Sequence, residues 1–192
     1  MLSFLPMDER AGSDDTIALM ARLKRGDASA LEPIYRRESA PVYRYALALC
    51  ANAAWSADAM QEAFVTLASR PQAFDPLRGT LGAYLAGVAR HHLLSRWREA
   101  RREVEAEPDE AGPAALEDSP EARLIQTQDQ AVVWRAIQAL PWPFREALVL
   151  VDLQERAYVE AARIAGIEIN TLRTRLHRAR LRLAKALGAT TP

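Results

Sequence analysis

Apolar side chains recur at helical spacing along most of the chain, and no stretch alternates in the manner of a β-strand. Residues 144–153 are apolar nearly throughout, which predicts a buried helix. The segments expected to be helical are 16–25, 30–50, 58–69, 81–102, 122–140, 144–153, 158–165 and 170–187. The pattern therefore predicts an all-α protein.

Capping residues and prolines suggest where these helices begin and end. Residues 13–15, Ser-Asp-Asp, are candidate caps for the first helix, and Thr80 is placed to cap the helix at 81–102. Pro41 is expected to bend the second helix, and residues 52–56 read as a turn. Pro143 is tolerated at the first position of the helix that follows it.

Charge is unevenly distributed, although Lys plus Arg and Asp plus Glu are equal at 25 each. Residues 70–102 contain seven arginines and two acids, whereas residues 103–121 contain eight acids, three prolines and no Lys or Arg. The second composition cannot form a packed core, so it predicts a flexible acidic linker. We expect helical domains at residues 14–102 and 122–188 on either side of it.

The most informative segment is residues 170–187. Leu172, Leu176, Ala179 and Leu183 fall in one stripe of this helix, since each residue turns by about 100°. The opposite side carries Asn170, Arg173, Thr174, His177 and Arg178. Six Lys or Arg and no acid lie between residues 173 and 185. Such a face suits DNA phosphates and base edges.

Upstream of this helix the sequence has the pattern of a helix-turn-helix. The segment 158–165 is short and contains three small alanines, and Gly166 can adopt the positive φ of a turn. Leu172 would then pack back on the first helix, and the second would enter the major groove of DNA by its N-terminal end. The alternative is an ordinary basic amphipathic helix, which explains neither the alanines nor the turn glycine.

Several other classes of function find no support in the sequence. Cys50 has apolar neighbours and is expected to be a buried thiol. With one cysteine and three scattered or adjacent histidines, at 91, 92 and 177, no zinc site of the usual ligands can be assembled. His91 and His92 have no acid or nucleophile at a recognisable spacing, so neither an enzyme nor a cofactor is expected. No apolar run approaches the length of a membrane span, and no signal-peptide pattern is found. We expect a cytoplasmic protein without membrane insertion.

Two blocks of the sequence resemble one family. Leu140-Pro141, residues 144–148, Glu160-Ala161-Ala162, Thr171-Leu172 and residues 175–180 resemble region four of the extracytoplasmic-function sigma factors of bacterial RNA polymerase. Residues 43–45, 58–64 (DAMQEAF) and 74–79, with Tyr84-Leu85 and Ala89-Arg90, resemble region two. Both blocks stand in the family order with the acidic segment between them.

This resemblance implies an alternative sigma factor that directs core RNA polymerase to promoters and helps to open the minus-ten element. It also implies control by an anti-sigma factor and no small-molecule substrate. The implied minus-thirty-five contacts are Asn170, Thr171, Arg173, Thr174, Arg175, His177, Arg178 and Arg182. The implied minus-ten contacts are Phe74, Arg78, Thr80, Tyr84, Arg90, His91 and Arg98. The implied core-polymerase surface is Asp58, Gln61, Glu62 and Phe64.

Two other interpretations compete with this one. A sigma-like decoy would bind an anti-sigma factor without loading polymerase, but it predicts eroded basic faces and an attached signalling domain. A stand-alone helix-turn-helix regulator would bind duplex DNA as a dimer, but it leaves the N-terminal half without a role.

Overall fold

Every regular element of the described chain is helical, as the sequence predicts. The structure is a computed structural model, and it describes residues 9–106 and 128–188. The α-helices are α1 Glu9–Lys24, α2 Leu31–Cys50, α3 Ala53–Ser69, α4 Leu81–Ala106, α5 Gln128–Gln138, α6 Trp142–Leu148, α7 Tyr158–Ala165 and α8 Ile169–Ala186. A π-helical turn, Val149–Leu153, continues α6.

Helices α1 to α4 form an N-terminal lobe in which α2, α3 and α4 pack on one another. Its fully buried side chains include Ile34, Tyr45, Leu49, Leu67, Leu85 and Leu93. Helices α5 to α8 form a C-terminal lobe around Val149, Leu150, Leu172 and Leu176. The buried residues of both lobes belong to one continuous cluster, so the lobes pack directly on each other.

Side-chain caps determine several of the helix starts. Asn52 Oδ1 accepts a hydrogen bond from Trp55 N at 2.9 Å, and Asp27 caps the short 3₁₀ turn Ala28–Ala30 before α2. Thr80 Oγ1 accepts a bond from Ala83 N at 3.2 Å, which confirms the predicted cap of α4. These bonds satisfy amides that lack a partner within the helix.

The structure corrects four predicted helix boundaries. Helix α1 begins at Glu9, so residues 13–15 lie inside it and do not cap it. Helix α3 begins at Ala53 because Asn52 caps it, so the turn predicted at 52–56 is helical after its first residue. Helix α6 begins at Trp142, which makes Pro143 its second residue rather than its first.

The fourth correction concerns the start of the predicted linker. Helix α4 continues to Ala106, four residues past the predicted boundary, because Glu and Ala favour helix as far as the approach to Pro108. The remainder of the predicted linker and residues 122–127 of the predicted domain lie outside the described residues. Among the described helices, none is long and apolar enough to cross a membrane.

Candidate nucleic-acid interface

The outer face of α8 presents the polar residues that the periodicity predicts. Arg173, Thr174, His177 and Arg178 are exposed, whereas Leu172, Leu176 and Ala179 are buried against the rest of the lobe. Asn170 and Thr171 are exposed in the first turn of the helix. The N-terminal half of α8 therefore exposes polar side chains on one side and buries an apolar stripe on the other.

A tight turn holds this helix against α7. Gly166 has a φ of 65°, and Ile167 N donates to Ala162 O at 3.0 Å. Such a left-handed residue at the end of a helix is favourable for glycine, as predicted. Ala161, Ala162 and Ala165 are buried, which lets α7 and α8 approach closely. This is the geometry of a helix-turn-helix.

Contacts within the first turns of α8 restrict the conformations of Arg173 and Thr174, two of the side chains predicted to contact DNA bases. Arg173 Nη1 donates to Asn170 Oδ1 at 3.3 Å, and the guanidinium lies 5.8 Å from the ring centre of Tyr158. Thr174 Oγ1 donates to Asn170 O at 2.9 Å. Arg173 is thus held at the surface while its other donors remain available.

Three arginines of α8 have surroundings that the sequence does not reveal. Arg175 is half-buried, and burial raises the pKa of Glu146 while the charge of Arg175 is one of several that partly offset this rise. Arg180 forms two hydrogen bonds of 3.0 and 2.6 Å with Asp152, which raise the pKa of the guanidinium. Arg182 lies 4.5 Å above the ring of Phe144. Arg180 and Arg182 therefore contact other parts of the lobe, whereas Arg178 lies on the exposed face of α8.

A second surface is formed by the loop before α4 and by α4 itself. Two short 3₁₀ turns, Pro71–Ala73 and Pro76–Arg78, give the loop its shape. Asp75 Oδ1 accepts from Leu77 N at 2.9 Å, and Lys24 Nζ donates to Phe74 O at 2.7 Å. The loop is therefore held by its own bonds and by α1.

A groove of about 660 Å³ runs between this loop and α4, and its size is that of a ligand site. Its lining includes Phe74, Arg78, Thr80, Tyr84 and His91 from the predicted minus-ten set, and Arg163 and Ile164 of α7 complete it. Burial raises the pKa of the Tyr84 phenol, so the phenol is neutral and can both stack and donate. Arg98 is exposed further along α4, outside this lining.

Phe74 and Phe64 are placed differently from what the resemblance implies. Phe74 is 4% exposed and packs edge-on against Tyr84 at 5.7 Å, so it anchors the loop. Phe64 is 5% exposed and contacts the Tyr35 ring at 4.8 Å. Both rings pack within the core of the N-terminal lobe, which leaves little of either ring accessible to a partner, although Phe74 also borders the groove beside α4.

The other predicted core-polymerase residues lie on the outer side of α3. Gln61 and Glu62 are exposed, and Glu62 Oε1 accepts from Thr66 Oγ1 at 3.3 Å. Asp58 is exposed and paired with Arg96 of α4. A partner protein could contact these polar groups without any rearrangement of the core.

Glu146 is a buried carboxylate at the contact between the lobes, and the sequence does not reveal its partner. Its carboxylate is 1% exposed and binds Arg90 of α4 through both oxygens, and Tyr45 Oη donates to Oε1 at 3.4 Å. Burial raises the pKa of Glu146, and Arg90 partly offsets this effect. Its position in the apolar run 144–153 was a usable signal, since a buried carboxylate requires a partner.

Within residues 9–106 and 128–188, no group of three or more His, Cys, Asp or Glu side chains is placed to hold a metal ion. Cys50 is buried, as predicted, and its Sγ lies 3.3 Å from Ser56 Oγ. The chemistry available at both surfaces is that of hydrogen bonds, charge and stacking. That is the chemistry of nucleic-acid recognition.

Two family models match the chain in order. The model of Sigma-70 region 2 matches residues 34–103, and the model of Sigma-70, region 4 matches residues 130–183. The first match contains the loop and α4, which form most of the groove, and the second contains the helix-turn-helix.

Curated relatives and a solved structure agree with these matches. ECF RNA polymerase sigma factor EcfG of Rhodopseudomonas palustris is 32% identical over 145 residues, covering 74% of this chain and 77% of EcfG. SigE of Mycolicibacterium smegmatis is 30% identical over 168 residues, and the match spans 85% of this chain but 65% of SigE. The sigma factor RpoE of Bartonella quintana, solved with the anti-sigma factor NepR, shares the fold with a TM-score of 0.66. That similarity covers 83% of this chain and 98% of RpoE at 23% identity.

Proposed function

The chain belongs to the ECF sigma factors of the sigma-70 family, and from this membership we propose that it directs bacterial core RNA polymerase to specific promoters. The observation that carries the proposal is the presence of two polar surfaces on one chain. One is the groove beside α4 in the region 2 match, and the other is the free face of α8 in the region 4 match.

The α8 face would read the minus-thirty-five element in duplex DNA. Arg173 can donate two hydrogen bonds to guanine in the major groove, and Thr174 and His177 are adaptable neighbours. Arg178 lies further along the exposed face, where a phosphate contact is favoured. Contacts to base edges depend on the DNA sequence, whereas the attraction between positive charge and phosphate is the same for every DNA sequence.

The groove beside α4 would bind the minus-ten strand after its bases leave the duplex. Tyr84 offers a partly exposed ring for stacking, and Arg78 and His91 offer charge and hydrogen bonds. Pro71, Pro76 and the bonds of Asp75 order the loop before DNA arrives, which lowers the entropy cost of binding. Arg90 would serve as a phosphate or base contact once its pair with Glu146 is broken.

Core RNA polymerase is the proposed protein partner, with Asp58, Gln61 and Glu62 of α3 as contacts. We place the protein in the cytoplasm, where core polymerase acts, and we assign all bond making to the polymerase. An anti-sigma factor is the proposed inhibitor, because the similar sigma factor RpoE was solved together with the anti-sigma factor NepR.

Reconstitution with core polymerase tests the proposal. The chain is mixed with purified bacterial core enzyme and a library of promoter fragments, and transcripts are sequenced to identify start sites. We expect initiation at a subset of fragments that share two spaced elements. The double variant Gln61→Ala, Glu62→Ala should weaken association with core, whereas Glu32→Ala on the outer side of α2 should not.

Each alternative predicts a different result in this experiment. A decoy would not associate stably with core enzyme. A stand-alone regulator would bind duplex fragments without core and would show no dependence on α3. Either result would overturn the proposal.

A further inference from the structure

Tyr158, the first residue of α7, lies beside the exposed face of α8. The centre of its ring is 5.8 Å from the guanidinium carbon of Arg173, and the residue is 39% exposed. The predicted minus-thirty-five contacts do not include Tyr158. The helix-turn-helix therefore brings an aromatic ring from its first helix to the arginine that is proposed to read a base.

The fold of α7 fixes the position of this ring. Ala161 N donates to Ala157 O at 2.9 Å, which closes the first turn of the helix around Tyr158. The left-handed turn at Gly166 then holds α7 against α8. The backbone that carries the ring is thus ordered before DNA binds.

The two ends of the Tyr158 side chain face two arginines of α8. The ring faces Arg173. The hydroxyl interacts with Arg180, whose pKa is raised chiefly by its hydrogen bonds to Asp152 and to a smaller extent by Tyr158. Because the two arginines are about two turns apart on one helix, the Tyr158 side chain lies against α8 between them.

A ring contact leaves the hydrogen-bonding edge of a guanidinium unused. The ring attracts the face of the cation, whereas the N–H donors lie in its plane. Asn170 Oδ1 accepts one further bond from Arg173 Nη1 at 3.3 Å. The other donors of Arg173 can still reach guanine O6 and N7 together. Tyr158 and Asn170 therefore restrict Arg173 without occupying the donors that base reading needs.

An exposed arginine loses rotational freedom when it binds a base, and this loss of entropy opposes binding. We propose that Tyr158 is a positioning residue for minus-thirty-five recognition, and that its ring holds the Arg173 guanidinium in the orientation that contacts the base. This inference rests on the proposed function and deepens it, because it names a residue that determines the strength of recognition at one base position.

Selection from a promoter library with core polymerase measures the effect on recognition. Tyr158→Leu should lower the preference at the position read by Arg173 by about two- to fivefold, which is the range of an exposed cation–π contact. Tyr158→Phe keeps the ring and should retain the preference of the unmodified chain. Val159→Ala changes an exposed side chain in the same turn and is the matched control, with no expected effect.

Two results of this selection would overturn the proposal. One is an equal loss at every position of the element in Tyr158→Leu, which would indicate general support of the lobe. The other is a loss in Tyr158→Phe as large as in Tyr158→Leu, which would assign the effect to the hydroxyl.

A double-mutant cycle tests whether Tyr158 acts through Arg173. Tyr158→Leu should cause no further loss at that position in an Arg173→Ala chain, because the ring then has no guanidinium to hold. A second loss as large as in the Arg173 chain would make Tyr158 an independent DNA contact and would overturn the positioning role.

Nuclear magnetic resonance tests the contact without polymerase or DNA. The full chain is prepared with isotope-labelled arginine, and the Nε–H resonance of Arg173 is identified by its loss in Arg173→Lys. We expect this resonance to shift in Tyr158→Leu, because the ring current is removed, and to stay close to its original position in Tyr158→Phe and Val159→Ala. An unchanged resonance in Tyr158→Leu would overturn the proposal.

The outcomes separate this inference from the proposed function. If the chain does not load core enzyme, the proposed function fails, and the resonance still decides whether the ring holds Arg173. If initiation succeeds and Tyr158→Leu keeps its full preference at the Arg173 position, only the positioning role fails.

Discussion

Arg173 and Arg180 lie on the same helix and carry the same charge, yet they have different surroundings. Arg173 is exposed and braced by Asn170, so its remaining donors face solvent. Arg180 is bound through two nitrogens to Asp152, which fastens α8 to the π-helical turn after α6. A positive charge on the outer face of a helix is thus insufficient to identify a DNA contact.

Substitution of these two arginines separates base reading from structural support. Arg173→Ala should weaken recognition at one base position of the minus-thirty-five element by roughly 1–3 kcal/mol. Arg180→Ala should leave the base preference unchanged, because its guanidinium is already occupied by Asp152. The measurement is a selection from a promoter library with core polymerase, which reports the preference at every position. An even loss over all sequences for Arg173→Ala would make it a phosphate contact instead.

Cys50 should be chemically silent in the folded chain. Burial raises the pKa of its thiol, with hydrogen bonds to Ser56 and Asn52 partly opposing the effect, and the reactive species is the thiolate. We expect iodoacetamide to modify the native chain on the order of a hundredfold more slowly than the chain in urea, if local opening costs about 3 kcal/mol. Ser69→Cys in a Cys50→Ala chain provides an exposed reference. Equal rates for the two thiols would contradict the burial of Cys50.

At the scale of single elements, the turn between α7 and α8 depends on one glycine. Gly166 has a positive φ, and a Cβ there would meet no atom within 4 Å, so Gly166→Ala should destabilise through backbone strain alone. The expected cost is about 1–2 kcal/mol. Gly166→Asn should lose less, since Asn tolerates this conformation better.

Gly87 provides the control for this experiment. It lies inside α4, where a Cβ would also meet no atom within 4 Å and φ is not positive. Gly87→Ala should therefore stabilise the chain by roughly 0.5–1 kcal/mol, since Ala loses less conformational entropy in a helix. Urea unfolding followed by circular dichroism measures both effects. A stabilising Gly166→Ala would show that the turn does not hold its left-handed conformation in solution.

Helical periodicity predicted the existence of the helices better than their ends. Helix α7 was predicted with its observed bounds because Gly166 marks its end. Helices α1 and α3 begin earlier than expected because polar and small residues that suggest caps or turns are also tolerated within a helix. The same limit applies to Arg175. Spacing places it beside the apolar stripe of α8, but its half-buried position depends on the neighbouring helices.

At the scale of the whole molecule, the apolar pattern within single helices does not predict which distant residues come into contact. The contact between Arg90 and Glu146 joins positions 56 residues apart, and the bond between Thr80 and Glu160 joins positions 80 apart. Neither follows from the spacing of apolar residues within a helix, because both depend on how the two lobes pack. The acidic segment predicts a flexible linker between two domains, whereas the direct contact between the two lobes follows from no local pattern.

The buried carboxylate of Glu146 also predicts how stability should change with pH. Burial raises the pKa of Glu146, and Arg90, Arg175 and the bond from Tyr45 offset only part of that effect. The folded chain therefore holds this proton more tightly than the unfolded chain does. It follows that the contribution of Glu146 to stability grows as pH falls from neutral through the raised pKa, and is lost as pH rises through it.

Comparison with Glu146→Gln isolates this effect from the other titrating groups. We expect the free energy of unfolding of the unmodified chain, measured relative to Glu146→Gln, to increase as pH falls from neutral through the raised pKa of Glu146. The opposite slope would mean that the ion pair with Arg90 outweighs desolvation, and the lobes would then be held more firmly at neutral pH. With the expected slope, the charged pair at neutral pH contributes little net free energy to the contact between the lobes.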